Sequence, residues 1–406
     1  MFVAQKRSTD PMVRELSPSA KFLDRACRRL RREQISRDFG RYSHTRPSGY
    51  EIFSDDRTDI GADFACGLPT CDVLHLHWIA GFIDITVLQR VVKPSVPIIW
   101  TLHDMNAFTG GCHYDAGCGK YQASCGNCPQ LGSTQPDDLS QQIWKRKHAA
   151  YNTLSGSRIH LVALSSWIAT EARRSSLLGN HPISIIPNGL DTTIFAPRDR
   201  HAIRDVLGIA STDQVVMFIA DSTDNQRKGL KFLQEALIGL RDRANLVLLT
   251  VGQGHATLDQ CLRRVHIDRI DDDRLLSLLY STADLFVVPS LQDNLPNTVL
   301  EAMACGTPVV GFDIGGIPDM VRPGITGLLA PVGDKKGLRA AIRSLLDNEN
   351  LRRSMASHCR RIAVEEYTLE RQARRYQELY VELIEQMSHP EPHAVKEHVS
   401  FRQSTP

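Results

Sequence analysis

The chain has 406 residues, which is too long for one compact domain and long enough for two sizeable hydrophobic cores. Its hydrophobic content of 42% and charged content of 23% are ordinary for a soluble globular protein, and a net charge of +2 gives no reason to expect a nucleic-acid partner. No apolar run approaches the length of a membrane span, and the polar amino terminus is no secretory signal. Ten cysteines, several of them isolated along the chain, indicate a reducing cytoplasm.

The first forty residues combine a short apolar run with an arginine-rich helical segment. Phe22, Ala26 and Leu30 recur at helical spacing, and arginines fill much of the remainder. A basic amphipathic helix can lie on an anionic membrane surface. A packed helix with a solvated basic face explains the same pattern at least as well, so a peripheral membrane contact stays open.

From Asp72 onward, short apolar runs alternate with helix-length segments, and the alternation restarts after Asp191. Near-continuous apolar strands between helices predict parallel sheets that are covered on both faces. The α/β pattern therefore predicts two doubly wound, Rossmann-like domains with a cleft at the carboxyl ends of their strands. We place the domains at 1–189 and 190–368, joined through IPNGLDTTIFAP at 186–197, and predict a disordered tail over 389–406.

A four-cysteine stretch, TGGCHYDAGCGKYQASCGNCPQL, lies within the first predicted domain. The C-x2-C pair at its end is a usual half of a structural zinc site, although the longer gaps are not those of a standard finger. Two disulfides or four free thiols are the alternatives. Any metal here would be structural, because four thiolates leave no open position for a substrate. The four are Cys112, Cys118, Cys125 and Cys128.

Three charged or titratable groups follow predicted strands and therefore point toward the cleft. His103 ends the strand PIIWTL, whereas a core histidine bonded to the backbone is the plain alternative. Arg227 and Lys228 follow VVMFIA and a polar loop, where two cations can neutralise a diphosphate leaving group. A solvated helix start would explain the same pair.

A second helix start lies between Val288 and Gly327. Asn297 is a natural N-cap, and Gly306 is a natural stop just past the helix end. Unpaired N–H groups at such a terminus form a site for a phosphate. Asp293 precedes the helix and Glu301 lies one turn inside it, where a carboxylate can reach sugar hydroxyls beside that phosphate.

This stretch resembles the donor-sugar site of the GT-B glycosyltransferases, in particular the retaining family 4. That family carries an acidic-x7-Glu motif, then EAMA-x-G-x-P-V-V and a Gly-Gly-Ile-Pro loop. Here these are Asp293, Glu301, Ala302–Val310 and Gly315–Pro318. The first acidic residue is usually Glu, so the shorter Asp293 suggests a different donor preference. The cysteine stretch and LHWIAGFID resemble the colanic-acid-type enzymes of bacterial exopolysaccharide assembly.

The resemblance implies a retaining glycosyltransferase that moves a hexose from a nucleotide-diphosphate sugar to a saccharide acceptor, expected to be lipid-linked. It implies no cofactor for catalysis, a helix near 369–388 that crosses back to the first domain, and a T-x-H histidine, here His103, close to the sugar. His103 and Asp293 are the predicted catalytic residues. The predicted donor-binding residues are Arg227, Lys228, Gly252, Asn294, Leu295, Pro296, Asn297, Thr298 and Glu301.

One departure concerns the amino terminus, where family members have a strand followed by a glycine-rich loop. No Gly-Gly pair occurs in the first 39 residues, and Gly40 and Gly49 stand alone. We therefore expect this loop to be missing, which leaves the activity of the chain uncertain. A non-catalytic homologue that binds a nucleotide sugar or a partner is one alternative. A sugar-nucleotide epimerase of the same fold is another, although the linker and Gly315–Pro318 argue against it.

Overall fold

The structure, a computed structural model, describes residues 1–3, 9–15, 22–59, 70–154, 159–254 and 263–388. The tail predicted for 389–406 lies outside these residues. Among the helices of the described residues, none combines the length and the apolar character that a membrane span requires.

The first domain is built on a parallel sheet in the order β3-β4-β5-β6. Its central strand β4 is buried along its whole length, because helices cover both faces of the sheet. Two short strands, β1 and β2, pair with each other and form a separate two-stranded sheet. The bounds are β1 Phe2–Val3, β2 Arg14–Glu15, β3 Leu74–Leu76, β4 Ile98–Leu102, β5 Ile159–Ala163 and β6 Ile183–Ile185.

The second domain has a six-stranded parallel sheet in the order β12-β11-β10-β7-β8-β9. The alternation of strands and helices predicted from the sequence is thus confirmed in both domains. Two strands were missed, namely β9, which carries three polar residues, and the short β12 after a glycine turn. The bounds are β7 Gln214–Ser222, β8 Leu246–Gln253, β9 Arg263–Ile267, β10 Leu285–Val288, β11 Val309–Phe312 and β12 Gly327–Ala330.

Twelve α-helices are assigned in the described residues. They are α1 Phe22–Gly40, α2 Ile85–Val91, α3 Leu139–Thr153, α4 Ser166–Arg174, α5 His201–Val206, α6 Leu230–Ile238, α7 Asp273–Thr282, α8 Asn297–Ala304, α9 Ile317–Met320, α10 Lys335–Asp347, α11 Glu349–Glu366 and α12 Leu369–Ser388. The arginine-rich segment is helical, as predicted, but Leu30 is 67% exposed and so does not belong to a buried stripe.

Helix α12 lies against the first domain although it follows the second in sequence. Tyr376, Leu379 and Leu383 are buried in one cluster with Ile99 of β4 and Val162 of β5. These three side chains recur at spacings of three and four, which places them on one face of the helix. The helix therefore ties the carboxyl-terminal end of the described chain to the first sheet.

Candidate active site

The loop after β10 connects the two domains through Asn294. Its side-chain amide donates to the carbonyls of Leu102 and His103, both at 3.0 Å, and accepts from the Ser165 hydroxyl at 2.7 Å. Since Leu102 ends β4 and Ser165 follows β5, the carboxyl ends of both sheets face each other here. Asn294, a predicted donor-binding residue, thus has its amide engaged by the first domain.

Asp293 is buried next to two cations. Its carboxylate lies 2.7 Å from the Lys228 ammonium and 3.2 Å from the Arg227 guanidinium, and it accepts a hydrogen bond from Ser290 at 3.2 Å. Burial alone would raise the pKa of Asp293, but the two cations outweigh burial and lower it. The structure therefore brings together three residues that the sequence predicted for the site.

Arg227 also contacts two groups of the first domain. Its guanidinium carbon lies 4.1 Å from the centre of the Tyr114 ring, and its Nε donates to the Glu51 carboxylate. Its guanidinium also donates a hydrogen bond to the Gln292 carbonyl, at 2.7 Å. Burial would raise the pKa of Glu51, but Arg227, Asn225 and Lys228 lower it overall. Arg227 is thus held between the domains, in a region of cancelling charges.

Helix α8 begins at Asn297, and Pro296 occupies the N-cap position with no side-chain cap. The predicted N-cap role of Asn297 is therefore wrong, because its amide oxygen instead accepts from Asn188 at 2.9 Å. Gly306 has φ +73° directly after the C-cap, as predicted for a helix stop. Leu295 is buried in the core, whereas Thr298 is half-buried in the first turn.

Glu301 lies inside α8 and accepts a hydrogen bond from the Tyr280 hydroxyl at 2.7 Å. Burial raises the pKa of Glu301 to about 7, against the smaller opposing effect of that hydrogen bond. Because Tyr280 is fully buried, its hydroxyl holds the Glu301 carboxylate from the core side. A sugar hydroxyl that donates to the free oxygen would favour the ionised form.

His103 is half-buried at the end of β4 and shares a 3.0 Å hydrogen bond with His77. The His77 ring in turn packs against that of His75, which bonds to Thr101 and to Tyr380 of α12. Burial lowers the pKa of His103, and it lowers those of His77 to about 4 and of His75 to about 3. All three rings are neutral near pH 7, which suits hydrogen bonding better than proton uptake.

Two glycines allow backbones to meet at the site. Gly252 has φ +133°, and a Cβ there would lie 1.8 Å from the Ala220 carbonyl. Gly315 has φ +62°, and a Cβ would lie 1.9 Å from the Asp293 carbonyl. The Gly-Gly-Ile-Pro loop therefore packs directly beneath the residue that pairs with both cations.

Cys112, Cys118, Cys125 and Cys128 line one cavity, with Asp115 and Lys120. Burial raises the pKa of Cys112, Cys125 and Cys128, so these thiols are protonated near neutral pH. In the described part of the chain, no three potential ligands are arranged so that they could hold a metal ion. Zinc would have to draw the sulfurs together and deprotonate them, and it stays a prediction.

A larger cavity, of about 570 Å³, lies between the domains beside Arg227. First-domain residues Glu51, Tyr114 and Trp167 form one wall, and Gln226 and Gln292 form the other. Its volume is in the range of small-molecule sites. Sequence reasoning missed Glu51, Tyr114 and Gln292, because nothing in their local pattern marks a contact with a residue 65 or more positions away.

Comparison with known family models gives a match within the second domain. Residues 213–348 match the family described as Glycosyl transferases group 1. The matched region is similar to that family over its whole length. It contains both cations, Asp293, helix α8 and the Gly-Gly-Ile-Pro loop.

Similarity extends beyond that domain. N-acetyl-alpha-D-glucosaminyl L-malate synthase of Bacillus anthracis is 28% identical over 77% of this chain and 75% of its own length. D-inositol 3-phosphate glycosyltransferase of Geodermatophilus obscurus is 31% identical over 69% of this chain. The chain covers only 60% of that second relative. These homologues support a transferase enzyme.

Among solved structures, Anabaena HepE in complex with UDP and glucose superimposes with a TM-score of 0.57 at 17% identity. The alignment covers 77% of this chain and 78% of HepE. The similarity confirms the GT-B fold predicted from the sequence, with two Rossmann-like domains. It concerns the fold alone.

Proposed function

We propose that this protein is a retaining glycosyltransferase that moves a hexose from a nucleotide-diphosphate sugar to a saccharide acceptor. The observation that carries the proposal is the cluster of Arg227, Lys228 and Asp293 in and beside the loop that leads into α8. The next residue of that loop, Asn294, bonds through its side-chain amide to the main-chain carbonyl of His103 in the first domain. Cations and a helix terminus suit a diphosphate, and a carboxylate beside them suits sugar hydroxyls. The two relatives named above are glycosyl-transferring enzymes, which supports the same class.

In the proposed reaction the bond from the anomeric carbon to the leaving phosphate oxygen breaks, and a bond to the acceptor oxygen forms on the same face. The acceptor proton passes to the departing phosphate oxygen. Arg227, Lys228 and the N–H groups of α8 stabilise the charge that develops on the diphosphate, without a catalytic metal. Asp293 and His103 orient the sugar, and Glu301 holds the ribose.

The acceptor is proposed to be a lipid-linked saccharide of exopolysaccharide assembly, on the resemblance of the cysteine stretch and LHWIAGFID to the colanic-acid-type enzymes. The arginine-rich helix α1, with Leu30 exposed beside its arginines, would favour peripheral contact with the inner face of the membrane. The names of the two relatives point to smaller acceptors, L-malate and inositol phosphate. Transfer assays should therefore compare all three classes.

The first experiment measures thermal unfolding of the wild type and of Glu301→Ala with a panel of nucleotides and nucleotide sugars. We expect one donor to stabilise the wild type, since a ligand at one hundred times its dissociation constant adds roughly 2.7 kcal/mol. Glu301→Ala should lose most of that shift. Glu235→Gln, which affects an ion pair with Lys335 on the second domain's helices, is the control and should keep it.

A folded wild type that no nucleotide sugar or nucleotide diphosphate stabilises would contradict the proposal. Stabilisation by one donor with an equal shift in Glu301→Ala would contradict the ribose role alone. A donor that binds without transfer to any acceptor class would favour the non-catalytic homologue.

A further inference from the structure

Glu51 belongs to the first domain but bonds to the second. Its Oε1 atom accepts hydrogen bonds from the Asn225 amide at 2.8 Å and from the Arg227 Nε. Side-chain exposure is 18% for Glu51 and 14% for Arg227, so the pair is screened less than a surface ion pair. The Glu51 carboxylate therefore occupies one edge of the Arg227 guanidinium, the group proposed to bind the donor diphosphate.

The backbone places Glu51 there. Gly49 has φ +87°, and a Cβ at this position would lie 2.4 Å from the Gln226 amide, so the loop fits closely against the 3₁₀ turn that carries Arg227. Arg46 donates a hydrogen bond to the Glu51 carbonyl and braces the same loop. Glu51 is thus positioned by a loop of the first domain that packs closely against the second domain.

Charges at the site cancel in this arrangement. Arg227 and Lys228 supply two positive charges, and Asp293 and Glu51 supply two negative ones. Asp293 is buried in the same domain as both cations, so it stays paired with them when the domains move apart. Glu51 is different, because separation of the domains removes it from Arg227 and leaves the site with a net positive charge. A diphosphate would therefore be attracted more strongly to that second state than to the first, in which the charges cancel.

We propose that Glu51 sets donor affinity by competing with the donor diphosphate for Arg227. In the ligand-free protein its carboxylate holds the guanidinium and helps to keep the cleft shut. The diphosphate displaces it, and part of the binding free energy is used to break the interdomain pair. This inference rests on the proposed function insofar as the incoming anion is a sugar nucleotide.

The test compares wild type with Glu51→Gln by isothermal titration with UDP, ADP, GDP and inorganic pyrophosphate. Glutamine preserves the shape of the side chain and its acceptor oxygen but removes the charge. We expect Glu51→Gln to bind at least one of these anions about fivefold or more tightly than wild type. Glu235→Gln is the matched control, because it removes a carboxylate remote from the cleft, and its affinity should equal that of wild type.

Small-angle scattering of the ligand-free proteins supplies a second readout, and Glu51→Gln should have the larger radius of gyration. Equal or weaker anion binding by Glu51→Gln would overturn the proposal and make Glu51 a residue that positions Arg227. Tighter pyrophosphate binding without binding of any nucleotide would support the competition and contradict the proposed function. If neither wild type nor Glu51→Gln binds any of these anions, both the competition and the proposed function are overturned.

Discussion

At the scale of single residues, the site is organised by carboxylates in unequal surroundings. Asp293 is buried but accompanied by two cations, so its pKa is lowered. Glu301 is buried beside a neutral tyrosine, so its pKa is raised to about 7. Burial acts in the same direction on both, and the neighbouring charge decides the outcome. The two ends of the acidic-x7-Glu motif therefore differ in protonation near neutral pH.

This difference predicts how stability depends on pH. Because the pKa of Glu301 is higher in the folded state than the ordinary glutamate value of 4.5, its contribution to stability is complete at low pH and is lost as pH rises toward 7. Glu301→Gln should remove this loss. Relative to the variant, wild type should lose up to about 3 kcal/mol of unfolding free energy between pH 4.5 and 8.

Urea unfolding of both proteins at several pH values measures this difference. Other carboxylates titrate equally in the two proteins and cancel in the comparison. A difference that stays constant from pH 4.5 to 8 would show that Glu301 is ionised throughout and is more solvated than its position inside α8 indicates.

At the scale of elements, the sequence predicted strands well where they are apolar on both faces. β7, β8, β10 and β11 are such runs, and all four are present. β9 reads Arg-Arg-Val-His-Ile and lies at the edge of its sheet, where polar side chains face solvent and the apolar signal is weak. The predicted start of α8 was one residue too late, because Asn297 and Pro296 are both compatible with the beginning of a helix.

The cysteine loop gives a prediction at this scale. We expect Cys112, Cys125 and Cys128 to resist alkylation by iodoacetamide in the native protein, because burial raises the pKa of each thiol and only the thiolate reacts. Exposed Cys27 should be labelled first and serves as the internal control. Peptide mass mapping after timed labelling makes the comparison.

Metal analysis of the same sample decides what protects these thiols. About one equivalent of bound zinc would support the four-thiolate site, provided that removal of the zinc also makes the thiols react. Zinc-free protein with slow labelling would mean that burial alone protects Cys112, Cys125 and Cys128. Labelling of the loop as fast as that of Cys27 would contradict the buried positions themselves.

At the scale of the whole molecule, α12 fastens the second domain's carboxyl end to the first. Leu379→Ala should lower the unfolding free energy by about 3 kcal/mol, the usual cost of removing a buried leucine side chain. Val381→Ala, on the exposed face of the same helix, should cost well under 1 kcal/mol. Chemical denaturation of both variants tests this, and equal costs would contradict the packing of α12.

Contacts between the domains are where sequence reasoning was weakest. Local patterns singled out Asp293, His103 and both cations, because each follows a strand, and Glu301, because it lies one turn inside a helix. The partners of Arg227 in the first domain follow from three-dimensional arrangement, since Glu51 lies 176 positions away in a stretch without strand or helix character. Periodicity reports which face of an element is buried, and it says nothing of what lies opposite.

Asn294 has a consequence for exchanging domains between homologues. Two of its three partners are main-chain carbonyls, which every sequence supplies, and the third is the hydroxyl of Ser165. A foreign first domain would thus need only a small hydroxyl residue after its β5 equivalent to receive this amide. Glu51 imposes the opposite condition, because its counterpart must be a cation. Chimaeras should therefore tolerate recombination around Asn294 far better than around the Glu51–Arg227 pair.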